Sequence, residues 1–290
     1  GIQIVDIDHI YETESKWIDL LYDEAALDSD EEFKTLFEDV IRNFIRFVHL
    51  VPASENNHHM YAGGLVSHSL EVSLYALRNA QQLVLPAIGH VDIEKRYRQP
   101  RWLYASWLCG LLHDVGKPFT DFTVIGDNGG SWKPLLIPLY DWCKNNDIKS
   151  YTVIWNEHRV HKEHEQSSIT PVQMILTDQV KEYLSESTDN LWNHITTTLA
   201  KYKHRNGYLD TAVRMADYKS TDIDNKRYWD KTIGHRTAPI QNHIIKAIRS
   251  LRKNWTTNKS GAKIWIVDDE VCLQWPQAIN EPIGYRRSFR

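Results

Sequence analysis

Residues 101–118 read RWLYASWLCGLLHDVGKP. Pro100 stands just before them, and proline is tolerated in the first turn of a helix. From Arg101 to Leu112 the run is nearly all apolar, and no proline interrupts it until Pro118. The pattern predicts a buried helix over about 101–112 that stops on the adjacent pair His113-Asp114, with Gly116 and Pro118 marking its end. Neighbouring side chains on a helix diverge, so this imidazole and carboxylate cannot point the same way. They can still converge on two nearby cations if the carboxylate bridges. Gly116 then permits a tight turn and a close approach of backbone to ligand. Lys117 offers a positive charge beside the pair.

A lone His-Asp dipeptide occurs by chance in many proteins, so the surrounding chain decides its weight. Upstream, HHMYAGGLVSHSLEV carries His58, His59 and His68. Downstream, RVHKEHEQ carries His161 and His164, and AVRMADYKS carries Asp217. Each group falls on or beside an expected helix, and helices from distant parts of a chain can aim ligands into one core site. His161 and His164, spaced i, i+3, would share a helical face. Taken singly, each of these residues has a plainer reading. A histidine on an amphipathic helix is usually packed or solvated, Lys117 can face solvent, and Asp217 can pair with Arg214. Together, and in this order, they point to a metal site. Imidazole plus carboxylate suits Mn, Fe, Zn or Mg, and the mixture does not choose among them or say whether one or two ions bind. Asp121, just beyond the pair, is a candidate to orient a histidine, with loop capping as the alternative.

The rest of the chain reads as mostly helical. Residues 31–50 place Phe33, Phe37, Val40, Ile41, Phe44, Ile45 and Val48 at helical spacing. Residues 51–63 read as a loop. Residues 64–83 form a second helix, with Leu65, Leu70, Leu74 and Leu77 among its apolar positions. A loop is expected over 119–133, then helices over 135–146, 171–185, 190–203, 208–219 and 240–255. KIWIVDD and EVCLQW, near the end, read as two short strands around a turn. The expected organisation is an all-α body over 1–261, with a β-hairpin appendage, or the start of a linker, over 262–290.

Composition narrows the classes. The chain has 290 residues, 42% hydrophobic and 25% charged, enough for one large core. Eleven tryptophans and fourteen tyrosines make aromatic packing a large part of that core. Three cysteines without a CxxC pair argue against a disulfide framework or a cysteine zinc site, and fit a reducing cytoplasm. No signal-peptide pattern and no membrane-length apolar run is present. The abrupt ends read as those of a segment of a longer protein. A net charge of −4 does not mark a dedicated nucleic-acid binder, yet the charge is uneven. Residues 1–50 hold thirteen acids against four Lys/Arg, whereas 226–259 hold nine Lys/Arg and one acid. That basic stretch includes Arg236, Lys246, Arg249, Arg252 and Lys253, with Tyr228, Trp229 and Trp255 available for stacking. A solvated basic helix would look the same. A helicase motor is not encoded in this segment: Gly110 and Gly116 have five residues between them, and Pro118 follows Lys117 where a phosphate loop needs Ser or Thr.

The order His68, His113-Asp114, His161/His164, Asp217 resembles the HD superfamily of metal-dependent phosphohydrolases. Within it, PASENNHHMYAGGLVSHSLEV followed by LLHDVGKPFTDF resembles the TraI_2 domain of MobH-type conjugative relaxases. The stretch YTVIWNEHRVHKEHE and the closing WIVDDEVCLQWP add to the likeness, which covers about residues 25–280. The resemblance implies an HD-type helical bundle and a relaxase that nicks one DNA strand at a transfer origin (oriT), alongside proteins of the conjugation machinery in a bacterial cytoplasm. It implies that His68, His113, Asp114 and Asp217 are metal ligands. His161 and His164 match the additional histidines of two-metal members, and His58 and His59 the extra histidine block. Asp114, Lys117, His58 and His59 are then the candidates for the chemistry itself. A covalent route would need a tyrosine, of which Tyr61 is nearest the first histidine block, and an oxidative route would need iron. Two other functions suit the same residues: a nucleotide phosphohydrolase or phosphodiesterase, and a metal-binding module that docks DNA or a partner.

Overall fold

The computed structural model describes residues 1–55, 59–157, 164–187, 189–201, 206–233, 255–267 and 270–274. It divides into two compact units, Gly1–Asn225 and Lys226–Arg290.

The first unit opens with a short strand, β1 (Ile2–Gln3), and two helices, α1 (Ile7–Thr13) and α2 (Ser15–Ala25). Then come α3 (Asp30–Phe33), a π-helical turn over Lys34–Glu38, and α4 (Asp39–Val48). Ser29 caps α3, its hydroxyl accepting from the Glu32 backbone N–H. Every apolar residue that the spacing places on the inner face of 31–50 is buried, from Phe33 to Val48. Phe37 packs edge-on against Trp107, with ring centroids 4.6 Å apart, and against Tyr104 at 5.2 Å.

Two helices build the centre: α5 (Gly64–Gln82) and α7 (Gln99–Leu112), the latter entered through α6 (Val91–Ile93) and a second π-helical turn, Glu94–Arg98. Both are buried over most of their length, as their apolar content requires. The chain continues through α8 (Lys117–Thr120), β2 (Phe122–Gly126), α9 (Leu139–Asn145), β3 (Ser150–Trp155), α10 (His164–Ser167), α11 (Val172–Ile175), α12 (Asp178–Ser185) and α13 (Leu191–Lys201). The last described helix, α14 (Tyr208–Ile233), is longer than the expected 208–219, and most of the helix expected over 240–255 lies outside the described residues. In the second unit, β4 (Ile264–Val267) pairs antiparallel with β5 (Glu270–Leu273), the hairpin that KIWIVDD and EVCLQW predict.

The helical reading holds, with one correction: the body is not all-α. Strands β1, β3 and β2 form an antiparallel sheet in that spatial order, with Val124 opposite Val153 and Ile2 opposite Tyr151. Residues 122–126 lie inside the stretch expected to be loop. The Gly and Asp residues at 126–130 do form a turn, in which Asn128 Oδ1 accepts from Gly130 N at 2.8 Å. The β-branched run before that turn, Thr-Val-Ile, pairs with the Tyr-Thr-Val-Ile run of β3. The expected helix 135–146 is correspondingly shorter, starting only at Leu139. Among the described residues, no helix is long and apolar enough to cross a membrane.

Candidate metal centre

Helix α7 ends on Leu112, with His113 as its C-cap, so the His113-Asp114 pair sits where the chain leaves the helix and turns. His113 Nδ1 lies 2.7 Å from the Gly110 carbonyl. A carbonyl only accepts, so Nδ1 carries the proton and Nε2 presents its lone pair. That Nε2 faces Asp114 Oδ2 at 3.4 Å and Asp217 Oδ1 at 3.7 Å. His68, on α5, brings its Nε2 to 3.5 Å from Asp217 Oδ1 and 3.7 Å from Asp114 Oδ2, its ring 5.1 Å from that of His113. One donor atom from each of His68, His113 and Asp114 lies within 4.8 Å of the others, all three residues are buried, and the cluster can hold a metal ion. Donors arranged tetrahedrally about an ion at ~2.1 Å stand roughly 3.4 Å apart, so the imidazole–carboxylate spacings suit a cation among His68, His113 and Asp114, with Asp217 Oδ1 alongside.

The other oxygen of Asp114 faces elsewhere. Oδ1 is 3.2 Å from His164 Nε2, and His164 Nδ1 is 3.3 Å from Asp121 Oδ2. Asp121 thus backs His164, as an orienting carboxylate does, while Thr120 donates to its Oδ1 at 2.8 Å. The role of Gly116 differs from the expected approach to a ligand. Its φ of −77° is ordinary. A Cβ there would lie 2.1 Å from the His164 carbonyl oxygen and 2.7 Å from Ser168 N. Glycine here lets α10 dock on the turn, and Ser168 Oγ joins the two by donating to the His113 or His164 carbonyl, 3.1 and 3.2 Å away.

Lys117 does not face solvent: it is 6% exposed. Its Nζ lies 2.7 Å from Asp114 Oδ2 and donates to the Ala53 carbonyl at 2.6 Å, tying the metal carboxylate to the loop that carries His59. His59 is buried beside the cluster, its ring 5.0 Å from that of His68. Its Nε2 faces Glu71 Oε2 and its Nδ1 faces Asp224 Oδ2, both at 3.6 Å, and its backbone N–H donates to Asp224 at 2.7 Å. Gly64 makes room for this loop, since a Cβ there would sit 1.9 Å from the His59 carbonyl oxygen. Tyr61 is 51% exposed, its ring 5.9 Å from that of His59. It borders a cleft of about 530 Å³ shared with Glu14, Trp17 and Ser67.

The electrostatics follow from burial and these partners. Burial holds the His68 pKa down to about 4, against the pull of Asp217, so its imidazole is neutral near pH 7. Burial would raise Asp114, but His113 and Lys117 outweigh it and hold the carboxyl well below its usual range. Burial would lower His113, but Asp114 outweighs it and raises the ring. His164 also resists burial and is raised to about 9 by Asp114 and Asp121. Burial would raise Glu71, but hydrogen bonds from His59, Ser220 and Tyr75 hold it below the ordinary value.

Of the residues singled out from the sequence, His59, His68, His113, Asp114, Lys117, His164 and Asp217 come together. His58, His161, Arg236, Lys246, Arg249, Arg252 and Lys253 lie outside the described residues. Glu71, Ser220 and Asp224 were not singled out, and the only signal for them in the sequence is their spacing from residues that were. Glu71 follows His68 by three positions, and Ser220 and Asp224 follow Asp217 by three and seven, so each shares a helical face with a proposed ligand.

Fold and site together define a mainly helical protein with a buried His-His-Asp cluster suited to a cation. The chain belongs to the TraI_2 family, described as "Putative helicase", whose model matches residues 1–286. A stretch of 68 residues is 38% identical to the dihydroneopterin 2',3'-cyclic phosphate phosphodiesterase of Methanocaldococcus jannaschii, covering 23% of this chain and 23% of that protein.

Proposed function

We propose that this chain is an HD-type, metal-dependent relaxase domain that nicks one strand of DNA at a transfer origin. The observation carrying the reading is the buried cluster of His68, His113 and Asp114, with Asp217 at 3.5 Å from His68, in a chain of the TraI_2 family. Those four residues would hold one divalent cation. His164 and the far oxygen of Asp114 would hold a second, with His161 added by the family resemblance. Bound Mn, Fe, Mg or Zn supplies Lewis acidity toward the phosphodiester and acidifies a water toward neutral pH.

The chain's own side chains do the positioning. Gly110 and Asp121 present their histidines with Nε2 toward Asp114. Lys117 ties the Asp114 carboxylate to the Ala53 carbonyl. His59, buried beside the cluster, is a candidate to handle a proton or a phosphate oxygen, and the family resemblance adds His58 to that role. The proposed DNA contacts are Arg236, Lys246, Arg249, Arg252 and Lys253, whose charges would neutralise phosphates. The proposed setting is a bacterial cytoplasm with conjugation-machinery proteins as partners.

The test is relaxation of supercoiled plasmid carrying the cognate transfer origin, with each of Mn, Fe, Mg and Zn. Nicking by wild type, abolished in His113→Ala and Asp114→Ala, is expected. Metal-loaded wild type that leaves both oriT plasmid and single strands intact would overturn the relaxase reading. A second reading, a small-molecule phosphodiesterase, is favoured by the name of the partial archaeal relative. It predicts hydrolysis of a 2',3'-cyclic phosphate by the same preparation that fails on DNA. Metal binding without either activity would leave a docking module.

A further inference from the structure

A chain of hydrogen bonds runs behind His68, away from the cluster. Ser220 Oγ, from α14, lies 3.0 Å from His68 Nδ1 and 2.9 Å from Glu71 Oε2. The other Glu71 oxygen accepts from Tyr75 OH at 3.0 Å. His68, Glu71 and Ser220 are all fully buried, so water does not compete for these contacts.

The protons can be assigned by elimination. A carboxylate only accepts, so the single hydroxyl hydrogen of Ser220 points at Glu71. The Ser220 oxygen then has only lone pairs to offer His68, and Nδ1 must bring the hydrogen. That turns the His68 Nε2 lone pair toward His113, Asp114 and Asp217. Nε2 has carboxylate oxygens at 3.5 and 3.7 Å, longer than a good hydrogen bond, so the 3.0 Å contact at Nδ1 decides the tautomer. We propose that Glu71 and Ser220 are positioning residues that fix His68 in its Nδ1–H tautomer and so keep Nε2 available to a divalent cation. The inference rests on the reading of His68 as a ligand, yet the tautomer can be tested without any metal.

Glu71→Gln changes almost nothing in shape and reverses the relay. With Tyr75 OH still donating, the amide oxygen turns toward it, whereas the opposite flip, with Tyr75 accepting from the amide nitrogen, would leave the wild-type relay in place. In the first arrangement the amide nitrogen faces Ser220 and donates to it. The Ser220 hydrogen turns toward His68 Nδ1, and the ring proton moves to Nε2. In metal-free protein carrying 15N-labelled histidine, long-range proton–nitrogen correlation spectra are expected to show His68 as Nδ1–H in wild type and Nε2–H in Glu71→Gln. Competition with a chelating dye is expected to show Zn binding weakened roughly 10- to 100-fold in that variant. Ser220→Thr keeps the hydroxyl and is expected to bind Zn as wild type does. Ser220→Ala is expected to give a mixed tautomer and weakened Zn binding, and carries the test if Glu71→Gln does not fold. Wild-type tautomer in Ser220→Ala, where no amide can flip, overturns the relay. Wild-type protein that shows the Nδ1–H tautomer yet binds no Zn, Mn or Fe overturns the metal reading instead.

Discussion

Asp114 and His164 face one another at 3.2 Å, Oδ1 to Nε2, while the second oxygen of the same carboxylate lies 3.4 Å from His113 Nε2. One carboxylate therefore has an imidazole on each side. This is the arrangement a bridging ligand needs, and it divides the site into a part built by α5, α7 and α14 and a part built by α10. If both parts bind, elemental analysis of protein purified without chelator should give two metals per chain. His164→Ala should keep one of them and Asp114→Ala none. Equal metal content in wild type and His164→Ala would sink the two-metal arrangement.

The second part depends on how closely α10 approaches the His113-Asp114 turn. A methyl group at Gly116 would meet the His164 carbonyl oxygen at 2.1 Å and Ser168 N at 2.7 Å, both backbone atoms that cannot swing aside. Gly116→Ala should therefore push α10 off the turn, with a loss of roughly 1–3 kcal/mol of stability as for other overpacked sites. The urea midpoint should fall, and metal content should drop toward that of His164→Ala. A variant as stable and as metal-rich as wild type would show that α10 docks in some other way.

The candidate residues that the fold brings together were legible because chemistry restricts what can be there. An imidazole-carboxylate pair at a helix end, and histidines and an aspartate at intervals on other helices, form a pattern with few bland explanations when taken together. The supporting residues were not legible by the same route. Glu71 in SHSLEV and Ser220 after Asp217 look like ordinary helix residues, and only the packing of α5 against α14 makes them neighbours of one ring. Gly116 was read as making room for a ligand, because a glycine beside a site says that something comes close and not what. The β2 strand was masked by its own turn: the Gly and Asp residues of 126–130 dominated a window in which the strand residues number only five. Helices α4, α5 and α7 were visible because their apolar spacing serves one large core.

Lys117 lends itself to a test that separates positioning from stability. Its Nζ joins Asp114 Oδ2 to the Ala53 carbonyl inside the protein. Lys117→Met fills similar volume but leaves a buried carboxylate and a buried carbonyl each short of a donor, which costs about 1–3 kcal/mol per group. Thermal unfolding of the metal-free variant should register that loss. Added cation should restore part of it, because a metal can take over the charge on Asp114 but cannot reach Ala53. Full restoration by metal would mean that the Ala53 contact contributes nothing.

His49 gives the fold a pH dependence away from the metal centre. It is fully buried, with Nε2 2.9 Å from the Val5 carbonyl and Nδ1 2.9 Å from Tyr151 OH. Val5 N also lies 3.3 Å from Nε2, but the shorter contact is to the Val5 carbonyl, which only accepts, so Nε2 carries the hydrogen and Nδ1 accepts from Tyr151, whose oxygen in turn accepts from Leu50 N at 3.1 Å. That arrangement suits the neutral ring, and burial holds its pKa below 6.5, with the Val5 hydrogen bond opposing more weakly. The unfolded chain therefore takes up the proton first as pH falls. The stabilisation is complete above about pH 6.5 and is lost as the pH drops toward the lower folded value. His49→Gln keeps a donor for Val5 and an acceptor for Tyr151 but cannot titrate. Melting temperatures measured in chelator from pH 7.5 to 5.5 should fall more steeply for wild type than for His49→Gln, because other buried histidines contribute equally to both. Parallel curves would mean that His49 is protonated as readily inside the protein as outside it.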